Sequence, residues 1–118
     1  MYLGTQPNNR PKSLRRSLLD IIRWGCGRRS RFLVRGQSML PTLLEGHSVL
    51  YSPHTRPKEN LIILFRHPNQ DLILIKRCIK VEEDRFWVEG DNPQKSTDSR
   101  HFGWVPQNCF IGSVTSLL

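Results

Sequence analysis

A serine and a lysine are the residues of this sequence whose chemistry stands out. Ser38 follows a predicted strand and lies in the segment GQSMLPTL at residues 36–43, where a glycine and a proline frame a turn. A loop serine usually caps or hydrogen-bonds local backbone, so Ser38 alone is weak evidence for catalysis. A neighbouring base that removes its proton would make the hydroxyl a nucleophile.

Lys76 is the candidate base. It shares one face of a predicted strand with two leucines and Cys78, and the opposite row is apolar apart from Arg77. A strand that is apolar on both faces is typical of a sheet interior, so we expect Lys76 to be at least partly buried. Burial lowers the lysine pKa and leaves an amine able to accept a serine proton. The alternative is a lysine that reaches solvent, or that pairs with an acid shared with Arg77.

The segment GDNPQKSTDSR at residues 90–100 is the third chemical feature. It is dense in turn formers and in side chains that bond backbone, and taken alone it predicts a surface loop. We expect Asp98 and Arg100 to form an ion pair that holds the loop in one shape. A rigid loop could present a hydroxyl group to Lys76.

These three segments, in this order, resemble the signal peptidase family of Ser-Lys proteases. The matching positions are Gly36, Ser38, Met39, Pro41, Thr42, Leu43, Ile75, Lys76, Arg77, Gly90, Asp91, Asn92, Ser96, Asp98, Ser99 and Arg100. The resemblance implies Ser38 as the nucleophile, Lys76 as the general base and Ser96 as the hydroxyl that orients the lysine amine. It implies a serine endopeptidase that removes a leader from a protein precursor.

Supporting roles also follow from the resemblance. It implies that Met39 and Pro41 shape the turn and the substrate cleft, and that Asp98 and Arg100 make a structural pair. The backbone N–H of Ser38 would donate to the oxyanion.

Within this family the chain is most similar to the proteases that mature nickel-type superoxide dismutase. The similarity rests on its small size and on the segments RHP at residues 66–68 and SRHFGWVP at residues 99–106. It implies that the partner is the nickel superoxide dismutase precursor, whose new N-terminus joins the nickel site. The protease itself is expected to bind no cofactor and no metal.

The sequence departs from the family pattern at three points. Gly36 stands where some members carry a hydroxyl that serves as second oxyanion donor, and Gly46-His47 replaces the usual Gly-Asp. The membrane anchor of secretory signal peptidases is not visible, because no stretch approaches the roughly 20 apolar residues of a bilayer span. We therefore expect no transmembrane segment and a cytoplasmic location.

Positive charge is concentrated near the N-terminus. The chain has a formal net charge of +8, and residues 1–35 carry the whole excess. A nucleic-acid binder would usually carry basic residues on its folded surface among aromatic ones, so we expect no nucleic-acid partner. Residues 1–12 are predicted to be a flexible tail. Peripheral membrane contact through this basic arm stays open.

A helix is predicted after the tail, followed by a β domain. Ser13 can cap the helix, and Gly25 and Gly27 can end it. Its apolar residues Leu14, Leu18, Ile21 and Ile22 are expected to dock on the body, leaving a solvated basic face. The alternative is a helix that binds a membrane surface or a partner.

From residue 31 the hydrophobic period changes to two. The predicted strands are Arg31–Arg35, Ser48–Tyr51, Leu61–Phe65, Asp71–Val81, Phe86–Glu89 and Phe110–Ser116. The polar run at residues 82–85 predicts a hairpin turn. The fold class is therefore mostly β, a single compact antiparallel domain with one core, and the resemblance implies the signal-peptidase/LexA-like catalytic fold. We divide the chain into an arm, residues 1–30, and a catalytic domain, residues 31–118.

Other functions remain possible at this stage. The chain could be a general leader peptidase, a self-cleaving regulator of the LexA type, or a non-enzymatic binding module with a basic arm. The spacing of the histidines fits no metal-ligand motif, so surface or supporting roles are expected for them. They are His47, His54, His67 and His101.

Overall fold

A computed structural model describes residues 14–118, which form one sheet and two short helices. The strands are β1 (Ser30–Leu33), β2 (Ser48–Ser52), β3 (Ile62–Arg66), β4 (Ile73–Glu82), β5 (Arg85–Glu89), β6 (Val105–Pro106) and β7 (Phe110–Leu117). The helices are α1 (Leu18–Gly25) and α2 (Ser99–Phe102), and short 3₁₀ turns cover Pro93–Lys95 and Gln107–Cys109.

The sheet has seven strands in the order β1-β2-β7-β3-β4-β5-β6, and every neighbouring pair is antiparallel. The prediction of a mostly β, antiparallel domain is confirmed. All six predicted strands are present with small shifts of their ends, and β4 and β5 form the expected hairpin, in which Glu82 pairs with Arg85. β6 has only two residues, too few to produce a period in the sequence.

The sheet buries apolar side chains on both of its faces. Ile62 and Leu64 of β3 belong to one cluster, while Ile63 and Phe65 belong to a second. Because successive side chains of a strand point to opposite faces, the two clusters lie on opposite sides of β3. The expectation of one core is therefore wrong. β4 lies inside the sheet, as its apolar rows predicted.

The N-terminal helix differs from its prediction in start and orientation. α1 begins at Leu18 with Ser17 as its N-cap, so a helix running from residue 13 is wrong, and it ends at Gly25 as expected. Leu14 packs against the first core cluster. The predicted docking of the helix through its apolar face is wrong, because Leu18 and Ile22 are 75% and 55% exposed.

Asp20 docks α1 in place of the apolar residues. Its carboxylate is buried and accepts hydrogen bonds from the hydroxyls of Thr115 and Ser116 on β7 and from Arg29 Nε at 3.2 Å. Burial alone would raise the pKa of Asp20, but these hydrogen bonds and the charges of Arg29 and Arg23 lower it below its ordinary value. The polar side of the helix therefore faces the sheet.

The segment before α1 is attached to the sheet as well. The N–H of Leu117 donates to the carbonyl of Arg15 at 2.9 Å, next to a parallel bridge between Arg16 and Leu117. The predicted flexible tail and the proposed cap Ser13 lie outside the described residues. The division at residue 30 stays a prediction. Neither helix within residues 14–118 is long and apolar enough to cross a bilayer.

The Asp20→Ala variant tests this attachment. It leaves two hydroxyls and Arg29 without their shared acceptor, so we expect the free energy of unfolding to fall by about 2 kcal/mol. Urea denaturation measures the loss, and amide exchange should show faster exchange in α1 than in the strands. Asp84→Ala, at an exposed hairpin turn, is the control. An unchanged unfolding midpoint for Asp20→Ala would contradict the attachment.

Candidate active site

Ser38 is half-buried at the start of a turn, residues 38–42, between β1 and β2. Met39 and Leu43 anchor this turn in the first core cluster, with exposed fractions of 1% and 0%. The N–H of Leu43 donates to the carbonyl of Met39 at 2.9 Å. Pro41 is exposed. Met39 thus fixes the turn from its core side, and Pro41 lies on its solvent side.

The loop after β5 holds the Ser38 turn from the opposite side. The N–H of Asn92 donates to the carbonyl of Ser38 at 2.9 Å, and its side-chain amide donates to the carbonyl of Gln37 at 3.1 Å. The Thr42 hydroxyl donates to the Asp91 carboxylate at 2.5 Å. The chain on both sides of Ser38 is therefore tied to residues 91 and 92.

Lys76 is buried in the middle of β4, with 4% of its surface exposed. It pairs with Ile63 of β3 and shares the face of Cys78, and both neighbours belong to the second core cluster. Within residues 14–118 the Lys76 amine makes no ion pair. The alternative of a solvent-exposed lysine is wrong.

The environment of Lys76 makes the charged form of its amine less favourable than in water. Burial lowers the pKa of Lys76 from an ordinary 10.5 to about 8; the Asp98 carboxylate offsets part of this effect and the Arg100 guanidinium adds to it. The amine is therefore within the field of the Asp98–Arg100 pair, and a substantial part of it is deprotonated in mildly alkaline solution.

Arg77, the next residue, points to the opposite face of β4 and forms an ion pair with a different carboxylate. Its Nε and Nη2 donate to the two carboxylate oxygens of Asp91, both at 2.9 Å, and its Nη1 donates to the carbonyl of Asn60 at 2.6 Å. Asp91 is therefore not shared with Lys76. Because Asp91 also accepts from Thr42, this ion pair links β4 to the Ser38 turn.

Ser96, Asp98 and Arg100 form one buried polar cluster. The Ser96 hydroxyl donates to Asp98 Oδ2 at 2.6 Å, and the expected ion pair with Arg100 Nη2 is present at the same distance. Burial alone would raise the pKa of Asp98, but hydrogen bonds from Arg100, from Ser96 and from the N–H of Gly90 lower it to about 2. The interpretation of residues 90–100 as a surface loop is wrong for this cluster, because Ser96, Asp98 and Ser99 are buried.

Gly90 is the point at which the serine turn and the polar cluster meet. A methyl group on Gly90 would overlap the Ser96 hydroxyl and lie 2.6 Å from the carbonyl oxygen of Ser38. Ser38 and Ser96 therefore lie on either side of a position that only glycine can occupy without displacing one of them. No hydrogen bond joins the Ser38 hydroxyl to Lys76 within the described residues, so the dyad stays a prediction.

Sequence reasoning assigned no role to the Arg77–Asp91–Thr42 link or to Gly90. An arginine in an otherwise apolar strand was a usable signal, because a buried guanidinium needs an acid, but the sequence does not single out Asp91 from the nearer acids at residues 82–84. No sequence pattern indicates the need for glycine at position 90, which depends on the distance to the Ser38 turn.

Three histidines have local structural roles. The Nδ1 atoms of His47, His67 and His101 each accept a backbone N–H, from Leu44, Asn69 and Asp98 respectively. His67 also packs on the ring of Phe102, with centroids 4.6 Å apart. Residues 14–118 contain no cluster of three or more His, Cys, Asp or Glu side chains suited to a metal ion.

Comparison with known proteins points to proteases. The family model described as "Signal peptidase, peptidase S26" matches residues 78–118, a stretch that includes the Ser96–Asp98–Arg100 cluster. The chain is also 35% identical to the mitochondrial ATP-independent inner membrane protease subunit 1a of Arabidopsis thaliana. That alignment covers 69% of this chain and 65% of the relative, so the chain spans just under two thirds of its length. Neither match bears on the nickel superoxide dismutase assignment.

Substitution of the adjacent buried residues Lys76 and Arg77 should change the stability of the fold in opposite directions. Lys76 is protonated in both the folded and the unfolded chain below about pH 8, and its burial then destabilises the fold. This cost, on the order of 3 kcal/mol, disappears as the pH rises from about 8 towards 10.5. Near neutral pH, Lys76→Met should therefore unfold at higher urea concentration than wild type.

Arg77→Met is the matched variant. It leaves Asp91 buried without its partner and should lower the free energy of unfolding by about 3 to 5 kcal/mol. Urea denaturation of both variants near neutral pH measures the two effects. A loss of stability in Lys76→Met comparable to that in Arg77→Met would show that Lys76 is a structural ion-pair residue.

Proposed function

We propose that this chain is a serine endopeptidase of the signal peptidase type, with Ser38 as nucleophile and Lys76 as general base. The observation that carries the proposal is the burial of Lys76, which lowers its pKa to about 8. The loop that contains Asp98, whose charge acts on Lys76, is also hydrogen-bonded to the Ser38 turn. A base works best when its pKa lies near the working pH. The matches to proteases support the same reaction class.

Acylation would begin when the Lys76 amine takes the proton of the Ser38 hydroxyl. The hydroxyl oxygen forms a bond to the carbonyl carbon of the scissile peptide, and the carbonyl oxygen becomes an oxyanion. The N–H of Ser38 makes no hydrogen bond with another described residue and can donate to that oxyanion. The Lys76 ammonium then protonates the leaving nitrogen, and the C–N bond breaks to leave an acyl ester on Ser38.

Deacylation would use the same base. Lys76, neutral again after giving its proton to the leaving amine, takes a proton from a water molecule, and the resulting hydroxide attacks the ester carbon. The bond to the Ser38 oxygen breaks, and that oxygen recovers its proton from Lys76. Proton transfers in both halves of the reaction therefore pass through one buried amine.

Ser96 would orient that amine. Its hydroxyl proton is committed to Asp98, so the oxygen lone pairs are free to accept a hydrogen bond from Lys76. Asp98 is itself fixed by Arg100 and by the N–H of Gly90 at 2.8 Å. The Asp98–Arg100 pair thus acts on the reaction only through Ser96 and through its field at Lys76.

We further propose that the substrate is a protein precursor with a leader, and specifically the precursor of nickel superoxide dismutase. Support for a leader comes from the signal peptidase family match. Support for the specific precursor comes from the resemblance of residues 66–68 and 99–106 to the proteases that mature nickel superoxide dismutase. An extended N-terminus presents an amide where nickel needs an amine, so nickel loading would wait for cleavage.

Substitution of the dyad provides the first test of the enzyme. Ser38→Ala and Lys76→Ala should each reduce cleavage of a precursor below about 1% of wild type, because nucleophile and base act as one unit. Ser96→Ala should retain more activity, because it only misorients the base. The rate is followed by mass spectrometry of the released leader. Turnover close to wild type in either dyad variant would refute the assignment.

The pH dependence of cleavage tests the state of the base. Activity requires neutral Lys76, so the rate should rise with pH through a midpoint of about 8 and then level off. A midpoint near the roughly 6.5 of an ordinary histidine would point to a different base. In that case substitution of the four histidines one at a time would identify it.

Co-expression tests the specific substrate. The nickel superoxide dismutase precursor is produced with wild-type or Ser38→Ala protein, and leader removal, nickel content and dismutase activity are measured. All three should depend on Ser38. Equal maturation in both cultures would refute this substrate, while cleavage of other leader-bearing precursors by the wild-type chain would support a general leader peptidase.

A further inference from the structure

The amphipathic helix α1 packs on the sheet through its polar side, whereas a helix that docks on a protein core normally does so through its apolar side. Leu18 and Ile22 lie one turn apart on the same side of the helix. Asp20 lies on the opposite side, because a step of two residues turns the helix by about 200°. The side that faces the sheet is therefore the polar one, and the apolar side faces outward.

The outward side exposes more apolar surface than single surface residues normally do. Leu18, Ile22 and Leu19 have exposed fractions of 75%, 55% and 54%, and Ile21 follows at 37%. These four residues, which we call the α1 patch, lie within five consecutive residues. Contiguous apolar patches of this kind mark interaction sites.

Positive charge flanks the α1 patch in the sequence. Residues 14–31 contain six arginines and only one acid, Asp20, which is buried beneath the helix. Arg15 and Arg16 precede the patch and are exposed, as are Arg28 and Arg31 after it. The exposed charge of residues 14–31, which we call the arginine rim of the patch, is therefore of one sign.

A basic recess adjoins the end of α1. It is a cavity of about 410 Å³, and its lining includes Arg28, Arg29, Ser52 and His54. Arg29 is partly committed to Asp20, while Arg28 is exposed. Guanidinium and hydroxyl groups of this kind can donate hydrogen bonds to a phosphate group.

We propose that the α1 patch and its arginine rim bind an anionic phospholipid membrane surface, with the helix lying in the plane of the interface. A short helix with an apolar outer face and flanking arginines matches the pattern of interfacial helices. A second copy of this chain would bring two positive rims together, so charge argues against self-association. The proposal does not depend on peptidase activity.

Binding of the full chain to lipid vesicles tests the proposal. Vesicles of phosphatidylcholine with and without phosphatidylglycerol are mixed with the protein, and the bound fraction is measured by co-sedimentation. Wild type should bind the anionic vesicles, and added salt should weaken binding. The double variant Leu18→Ser/Ile22→Ser should bind at least about 10-fold more weakly, because it removes apolar surface that enters the bilayer.

The matched control is Leu72→Ser, which removes an exposed leucine just before β4, outside the α1 patch. It should bind vesicles as wild type does, and both variants should keep the wild-type unfolding midpoint. Unchanged vesicle binding in the double variant, or equal binding of wild type to neutral vesicles, would overturn the proposal. Loss of self-association in the double variant, without vesicle binding by wild type, would show instead that the patch joins two copies.

Discussion

The buried carboxylate of Asp98 is the constraint on which the candidate site depends. With no exposed surface, it accepts hydrogen bonds from the Ser96 hydroxyl, the N–H of Gly90 and both the backbone and the guanidinium of Arg100. These contacts cap α2, fix the direction of the Ser96 hydroxyl and hold the Gly90 turn against Ser38. A neutral side chain could not satisfy so many donors. The field that acts on Lys76 comes from the same pair.

A buried carboxylate attaches α1 to the sheet, as another one holds the candidate site together, and the sheet connects the two. Asp20, like Asp98, is a buried carboxylate whose charge is offset by arginine and by hydroxyl groups. Asp20 attaches α1 to β7, β7 pairs with β3, and β3 pairs with β4, which carries Lys76. A membrane-bound α1 would therefore hold the candidate site at a fixed position relative to the lipid surface.

Much of the fold follows from local pattern, whereas its polar contacts do not. The apolar run at residues 72–79, broken only by Lys76 and Arg77, indicated an internal strand and a buried Lys76, because it makes both faces of the strand apolar. The inverted docking of α1 escaped prediction because Asp20 is satisfied by Thr115 and Ser116, which are distant in sequence. Residues 90–100 looked like a surface loop because composition does not distinguish polar groups bonded to each other from groups bonded to water. α2 has four residues, too few for a helical period.

The ionisation of Lys76 itself tests the central claim most directly. Nitrogen-15 labelling of lysine in the full chain, with the Lys76 signal assigned by its loss in Lys76→Met, allows its amine to be titrated by NMR. The account predicts a midpoint of about 8, set by burial and only partly offset by Asp98. A midpoint near the ordinary 10.5 would mean that Lys76 stays protonated in the folded chain, and the proposed base would then be wrong.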